Sequence, residues 1–355
     1  MKPSVSLPRV EHEAWIVPLR LRHPFGLSRG TASELPTVLL RLGGRGLGEA
    51  APVRYLGHDA RVIRDRLSAI CAGLKEHDLE DRPRCAALTR SLAPDLAPVR
   101  AAIDIALWDL AARADARTLR AEIAAALPIV AGAAGATETA FTIALDSLDA
   151  MAERAAEASH MPRLKIKLGK HPDFDRAAVR RVKAAAPGAH IVVDANGGWT
   201  LAQARELLPE LRDLGVEMVE QPLARGQLPA LAGLRRTSPL PIYADEDVQG
   251  PESLAALRGC VDGINIKLMK CGGISPALEM IAMARDEGWR ILLGCMIESR
   301  VGLAAAAGLA AHVDELDLDA HLLTADDPVP PGSAHVLTAA PPSVPGAGLG
   351  IPLRW

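Results

Sequence analysis

Lys167, Asp194, Glu220, Asp245 and Lys267 follow one another at intervals of 27, 26, 25 and 22 residues. Each closes a short apolar run: 164–168, 191–194, 216–220, 242–245 and 264–267. A strand, a helix and two loops take about that many residues, so the same end of five successive strands carries these groups. Three carboxylates together suit a hard divalent cation, and Mg2+ suits a site that keeps positions open for water and substrate oxygens. With strands numbered from 141–145, the lysines sit on strands 2 and 6, opposite each other in a ring of eight, and the acids fill the arc between. A substrate carboxylate on the cation would place its α-carbon between Lys167 and Lys267. One lysine would remove the α-proton, the other would return one to the opposite face, and the cation would stabilise the charge that develops. Free lysine titrates at about 10.4. A basic role therefore requires a lowered pKa, which burial beside Lys165 and a cation would supply. Lys270 is a second eligible lysine; we take Lys267 as the base and Lys270 as its flanking group, an order that spacing leaves open. Taken singly, each residue reads more simply as a surface charge or a helix cap. In this order at strand ends, they read as a site.

The elements that must hold these residues follow from the pattern. The chain has 355 residues, 49% apolar, and a formal charge of −3. That is enough for a large core and too little charge for a nucleic-acid surface. No apolar run reaches the length of a membrane span. Five cysteines without CxxC spacing argue against a disulfide framework or structural zinc and suit a reducing cytoplasm. Strand-like segments at 13–19 and 37–42 flank a polar loop expected over 22–35, with a third strand at 47–51. Helical spacing follows in Val62, Leu67, Ile70 and Leu74, and in Val99, Ile103, Leu107 and Leu110. From residue 140 strands and helices alternate, beginning with a helix at 148–158 opened by Asp146 or Ser147 and ending with a short strand around 316–319. The expected architecture is α/β: an α+β capping domain over 1–128, an eight-stranded barrel with the site over 129–324, and a tail, 325–355, that packs back on the cap. Large barrels often associate, so a homo-oligomer is an open expectation, although no interface can be named.

The strings Lys165-Ile166-Lys167, Asp194-Ala195-Asn196-Gly197-Gly198-Trp199, Glu220-Gln221-Pro222, Asp245-Glu246 and Asn265-Ile266-Lys267-Leu268-Met269-Lys270-Cys271-Gly272-Gly273, with the segment from Ala102 to Leu110, resemble the muconate-lactonising branch of the enolase superfamily. The resemblance covers nearly the whole chain. It implies a modified (β/α)7β TIM-type barrel under an N-terminal cap, Mg2+ on Asp194, Glu220 and Asp245, and catalysis by Lys165, Lys167 and Lys267. Asn196, Glu246 and Lys270 would orient the ligands and bases. Asp317-Leu318-Asp319 resembles the pair that holds a free ammonium in dipeptide epimerases; on a strand, both carboxylates would share a face. Pro24 to Thr31 resembles the mobile cap loop of epimerases acting on L-Ala-D/L-Glu, with Arg29 as reader of a distal carboxylate. Thr142, Glu298, Ser299 and Tyr55 would line the substrate pocket.

The function implied is inversion of the α-carbon of a dipeptide's C-terminal residue by two-base 1,1-proton transfer. A small dipeptide is then the partner, with no nucleic acid and no membrane. Related readings keep the core and change the substrate: o-succinylbenzoate synthase, N-succinylamino acid racemase or muconate cycloisomerase, none of which needs an ammonium clamp. A barrel that binds a chelating acid without turnover would leave two opposed lysines without a task.

Overall fold

The computed structural model describes residues 10–27, 30–75, 79–126, 138–329 and 346–352. The chain opens with an antiparallel sheet, β1 (His12–Leu27), β2 (Gly30–Leu42) and β3 (Gly46–Ala50). Helices α1 (Ala60–Cys71), α2 (Arg82–Leu92), α3 (Ala97–Ala114) and α4 (Leu119–Ala126) follow. The expected polar loop over 22–35 is largely strand. β1 and β2 stay paired out to Leu27 opposite Gly30, with a register irregularity between Arg20 and Phe25. Main-chain pairing needs no apolar alternation, so a polar hairpin escapes a reading based on hydrophobic pattern. In α1 the buried face is Ile63, Leu67 and Ile70, while Val62 is 51% exposed. The Asp59 cap, which accepts from the Arg61 and Val62 amides, fixes where the helix begins.

The second body alternates strand and helix: β4 (Phe141–Ile143), α5 (Leu148–Glu157), β5 (Arg163–Lys167), α6 (Pro172–Ala185), β6 (His190–Asp194), α7 (Leu201–Asp213), β7 (Val216–Glu220), α8 (Leu228–Arg235), β8 (Ile242–Ala244), α9 (Pro251–Leu254), β9 (Gly263–Lys267), α10 (Leu268–Cys271), α11 (Ile274–Asp286), β10 (Arg290–Gly294), α12 (Arg300–Ala307), β11 (Glu315–Asp317) and α13 (Ala320–Leu323). The eight strands run parallel in sequence order, and a bridge between Thr139 and Leu316 brings the two ends together. Ser147, not Asp146, caps α5 through the Ala150 amide. The period-two alternation of each strand sends Leu164, Ile166, Ile191, Val193, Ile264 and Ile266 outward into the core under the helices. Val192, Met218, Tyr243 and Leu292 form a separate apolar plug, the first three each two residues before Asp194, Glu220 and Asp245, so an apolar layer lies under the site.

Helix α3 joins the two bodies. Val99, Ile103 and Leu107 pack in the cap core, while Ala101, Ile105 and Trp108 pack in the barrel core. Asp104 on α3 accepts from the backbone and hydroxyl of Ser275 at the start of α11, at 3.0 and 2.6 Å. Asp109 accepts from the amides of Leu47 and Leu349, at 2.9 and 2.7 Å, so α3 also holds β3 and the returning tail. This double burial needs close approach of β3, and Gly48 allows it: a Cβ there would overlap the Ala102 carbonyl. Gly48→Ala is expected to lower unfolding free energy by ~1–3 kcal/mol, read from the urea midpoint.

Candidate active site

The strand ends converge. Asp194 and Glu220 close β6 and β7, and Asp245 follows β8. All three are buried, and each offers an oxygen within 4.8 Å of the others. Lys165 Nζ lies 2.7 Å from Glu220 Oε2, 2.7 Å from Asp317 Oδ2 and 3.3 Å from Asp194 Oδ2. Lys167 Nζ lies 2.7 Å from Asp194 Oδ2, and Lys267 Nζ lies 2.9 Å from Asp245 Oδ2. Lys270 donates to both the side chain and the carbonyl of Asp245 and to the Asn265 carbonyl. Asn265 Nδ2 donates to Glu220 Oε1 at 2.8 Å.

Charge here is dense and buried. Burial opposes ionisation of Lys165, but Asp317, Glu220 and Asp194 together raise its pKa well above the ordinary value. Burial likewise works against Lys267, yet Asp245 raises it; Lys270, with burial dominant, is lowered. At Lys267 the contact with the Asp245 carboxylate outweighs desolvation. Burial pushes Glu220 up to about 8, with the Asp194 charge adding to it. The lysines thus leave one carboxylate of the three poorly compensated. Three buried carboxylates with hard oxygen donors are a set that a divalent cation fits.

Above this floor lies a cavity of about 510 Å³ between barrel and cap. Lys167 and Lys267 line it from opposite strands, with Asp245, Asn196, Glu246 and Thr142. Lys165 and Lys270 are buried behind them and do not line it. Between Lys267 and Lys270, the structure thus turns Lys267 to the cavity. Gly294 on the neighbouring strand makes room, since a Cβ there would sit 3.0 Å from Lys267 Cε. Asp317 and Asp319 both line the cavity, but not as one face of a strand. β11 ends at Asp317, and Asp319 lies at the entry to α13 with φ −96°. The turn brings Asp319 around to accept the Thr142 amide at 2.6 Å. Burial and the Asp317 charge raise Asp319 to about 7. Asp317 Oδ2 is taken by Lys165, while its buried Oδ1 has no hydrogen-bond partner among the described residues.

From the cap, Tyr55, Phe25, Thr31 and Leu35 complete the walls. Gln249 Nε2 reaches the Tyr55 hydroxyl at 3.2 Å. Arg29 lies outside the described residues. Glu298 and Ser299 do not line the cavity: the loop turns them inward. Ser299 donates its amide and hydroxyl to Glu49, at 2.8 and 2.6 Å, and Glu49 also accepts from Gly302 N and Thr37 Oγ1. Glu49, a charge in the middle of an apolar strand, was the legible signal for this anchor between cap and barrel, and sequence reasoning missed it.

Residues 11–121 match the family described as mandelate racemase / muconate lactonizing enzyme, N-terminal domain, and residues 147–354 match the enolase C-terminal domain-like family. The chain belongs to the enolase superfamily, in its mandelate racemase / muconate lactonizing enzyme group. It is 35% identical over 327 residues to the hydrophobic dipeptide epimerase of Flavobacteria bacterium (strain MS024-2A), covering 88% of this chain and 90% of that protein. It is also 35% identical over 331 residues to the L-Ala-D/L-Glu epimerase of Escherichia coli (strain K12), covering 91% and 95%. A solved dipeptide epimerase from Cytophaga hutchinsonii, complexed with Mg and the dipeptide D-Ala-L-Val, superposes with a TM-score of 0.89 at 27% identity, over 98% of this chain and 96% of that one.

Glu298 gives this loop a pH dependence. Burial and the neighbouring Glu49 charge raise its carboxyl to about 8. The folded protein then binds a proton that the unfolded chain releases at about 4.3. Stability from this group is full below that value and falls as pH rises towards 8. Urea titrations from pH 5 to 9 should show this decline in the wild type and a flatter profile in Glu298→Gln.

Proposed function

We propose that this protein is a Mg2+-dependent dipeptide epimerase that inverts the α-carbon of the substrate's C-terminal residue. The observation that carries the reading is the placement of Lys167 and Lys267 on opposite walls of one cavity, above three convergent carboxylates and beside Asp317 and Asp319. Asp194, Glu220 and Asp245 would hold the cation, which when bound supplies positive charge at the substrate carboxylate and lowers the cost of removing the α-proton. Lys167 and Lys267 take and return that proton at its two faces. Lys165 holds Asp317 by its Oδ2 and leaves Oδ1 to accept from the dipeptide's ammonium, with Asp319 as second acceptor. A free ammonium distinguishes dipeptides from N-acylated amino acids and from cycloisomerase substrates. The similar proteins include epimerases of both hydrophobic dipeptides and L-Ala-D/L-Glu, and the apolar cap residues Phe25 and Leu35 suit a non-polar side chain as readily as Arg29 suits an acidic one.

The reading takes residues 1–128 as the cap, 129–324 as the catalytic barrel and 325–355 as a tail against the cap. Hydrogen bonds from Leu349 to Asp109 and from Arg113 to the Ile351 carbonyl support the last. Among the described residues no helix is long and apolar enough to cross a membrane. The five free cysteines support a cytoplasmic setting.

With dipeptides and Mg2+ in D2O, the wild type should exchange the C-terminal α-proton of both epimers. Lys167→Ala and Lys267→Ala should each lose inversion by ~10³-fold or more while still exchanging opposite epimers. Exchange of both epimers by either variant would remove the two-base assignment. Asp317→Asn should lower kcat/KM for dipeptides by ~10²-fold, the scale of one or two charge-assisted hydrogen bonds, and by more than it lowers any turnover of N-acylated amino acids.

A further inference from the structure

Gln221, the residue after Glu220, holds a left-handed backbone at φ 38°, which a side-chain-bearing residue seldom adopts. It is fully buried and does not line the cavity. Its hydrogen bonds reach the loops of all three carboxylates. Oε1 accepts from the Asp245 amide at 2.9 Å and the Asp247 amide at 3.3 Å. Nε2 donates to Asp247 Oδ2 at 2.8 Å and to the Leu223 carbonyl at 2.9 Å. Its own amide donates to the Tyr243 carbonyl at 2.8 Å, and its carbonyl accepts from Gly197, just beyond Asp194, at 2.7 Å. Every donor and acceptor of the residue is thus used, and the partners flank Asp194, Glu220 and Asp245 in turn.

We infer that Gln221 is a positioning residue that sets the spacing of the three carboxylates and so the affinity for the cation. The inference rests on the cation-binding reading of those carboxylates. Parallel strands leave their loops unpaired beyond the last ladder bond, so something must hold loops β6, β7 and β8 in register where the ladder stops. A single amide does so here, because it offers two donors and an acceptor with two lone pairs. Without it, buried groups on two loops lose their partners and the ligand oxygens separate.

Titration calorimetry of MgCl2 into the purified protein tests this. Gln221→Leu should raise the Mg2+ dissociation constant by ~10–100-fold, the usual range for partners of metal ligands. Circular dichroism would check that the fold is kept. Asp247→Ala, which removes the Nε2 acceptor without touching the ligand strands, should weaken binding less and keeps the test available if Gln221→Leu does not fold. Gln221→Glu combined with Asp247→Asn reverses donor and acceptor and should recover part of the affinity lost in Gln221→Glu alone. Folded variants that bind Mg2+ within twofold of the wild type would overturn the role of Gln221. A wild type that does not bind Mg2+ at all would instead overturn the cation reading and this inference with it.

Discussion

A charge taken out of water must meet an opposite charge, and this requirement shapes the centre of the molecule. Asp194, Glu220, Asp245, Asp317 and Asp319 share a buried volume with Lys165, Lys167, Lys267 and Lys270. Removing one partner of such a pair strands the other in a medium that solvates it poorly. The parallel barrel meets this demand geometrically. It brings the C-terminal ends of eight strands to one rim, so residues far apart in the chain neutralise one another at 2.7–2.9 Å. The apolar plug of Val192, Met218, Tyr243 and Leu292 closes the barrel below these charges.

Lys165 occupies the hinge of this arrangement. It touches Glu220 on one side and Asp317 on the other, and so joins the three-carboxylate floor to the Asp317 end of the cavity. The two acidic groups would repel each other without it. Its neighbour Lys167 leans on Asp194 alone and faces the cavity, which leaves it available for substrate. Two lysines two residues apart on the same strand therefore sit in different surroundings because of what each finds across the barrel.

The barrel and its rim residues were legible because each strand is a short apolar run that ends in a charged residue, and the repeat length of a strand–helix unit is narrow. What was illegible had other causes. The hairpin over 22–35 is held by main-chain bonds, which leave no mark on side-chain pattern. The geometry of Asp319 depends on a turn, not on strand alternation. Glu298 and Ser299 sit in a string that resembles pocket residues, yet Glu298 accepts from the Met296 amide at 2.7 Å and Ser299 bonds Glu49, 250 positions earlier in the chain. Contacts of that separation are set by how the cap docks, and no local window contains that information. Lys267 differs from Lys270 only by whether a side chain follows β9 or the first turn of α10, a distinction that spacing alone left open.

The hairpin of β1 and β2 has a further consequence. Its outer part is held chiefly through its own two strands, with main-chain bonds to the rest of the molecule from Leu145 N to Gly26 O at 3.0 Å and from Ala325 N to Arg20 O at 2.7 Å. Lys167 and Lys267 take their ion pairs from Asp194 and Asp245, both on the barrel. Side chains of the ribbon can therefore be exchanged by drift or recombination without removing the partner of either lysine, as a key's teeth can be recut without altering its bow, except at Gly26, where a Cβ would overlap the Leu145 carbonyl. Part of the cavity's wall and its charged floor are thus separately heritable, with Phe25, Thr31 and Leu35 all on one ribbon of the chain.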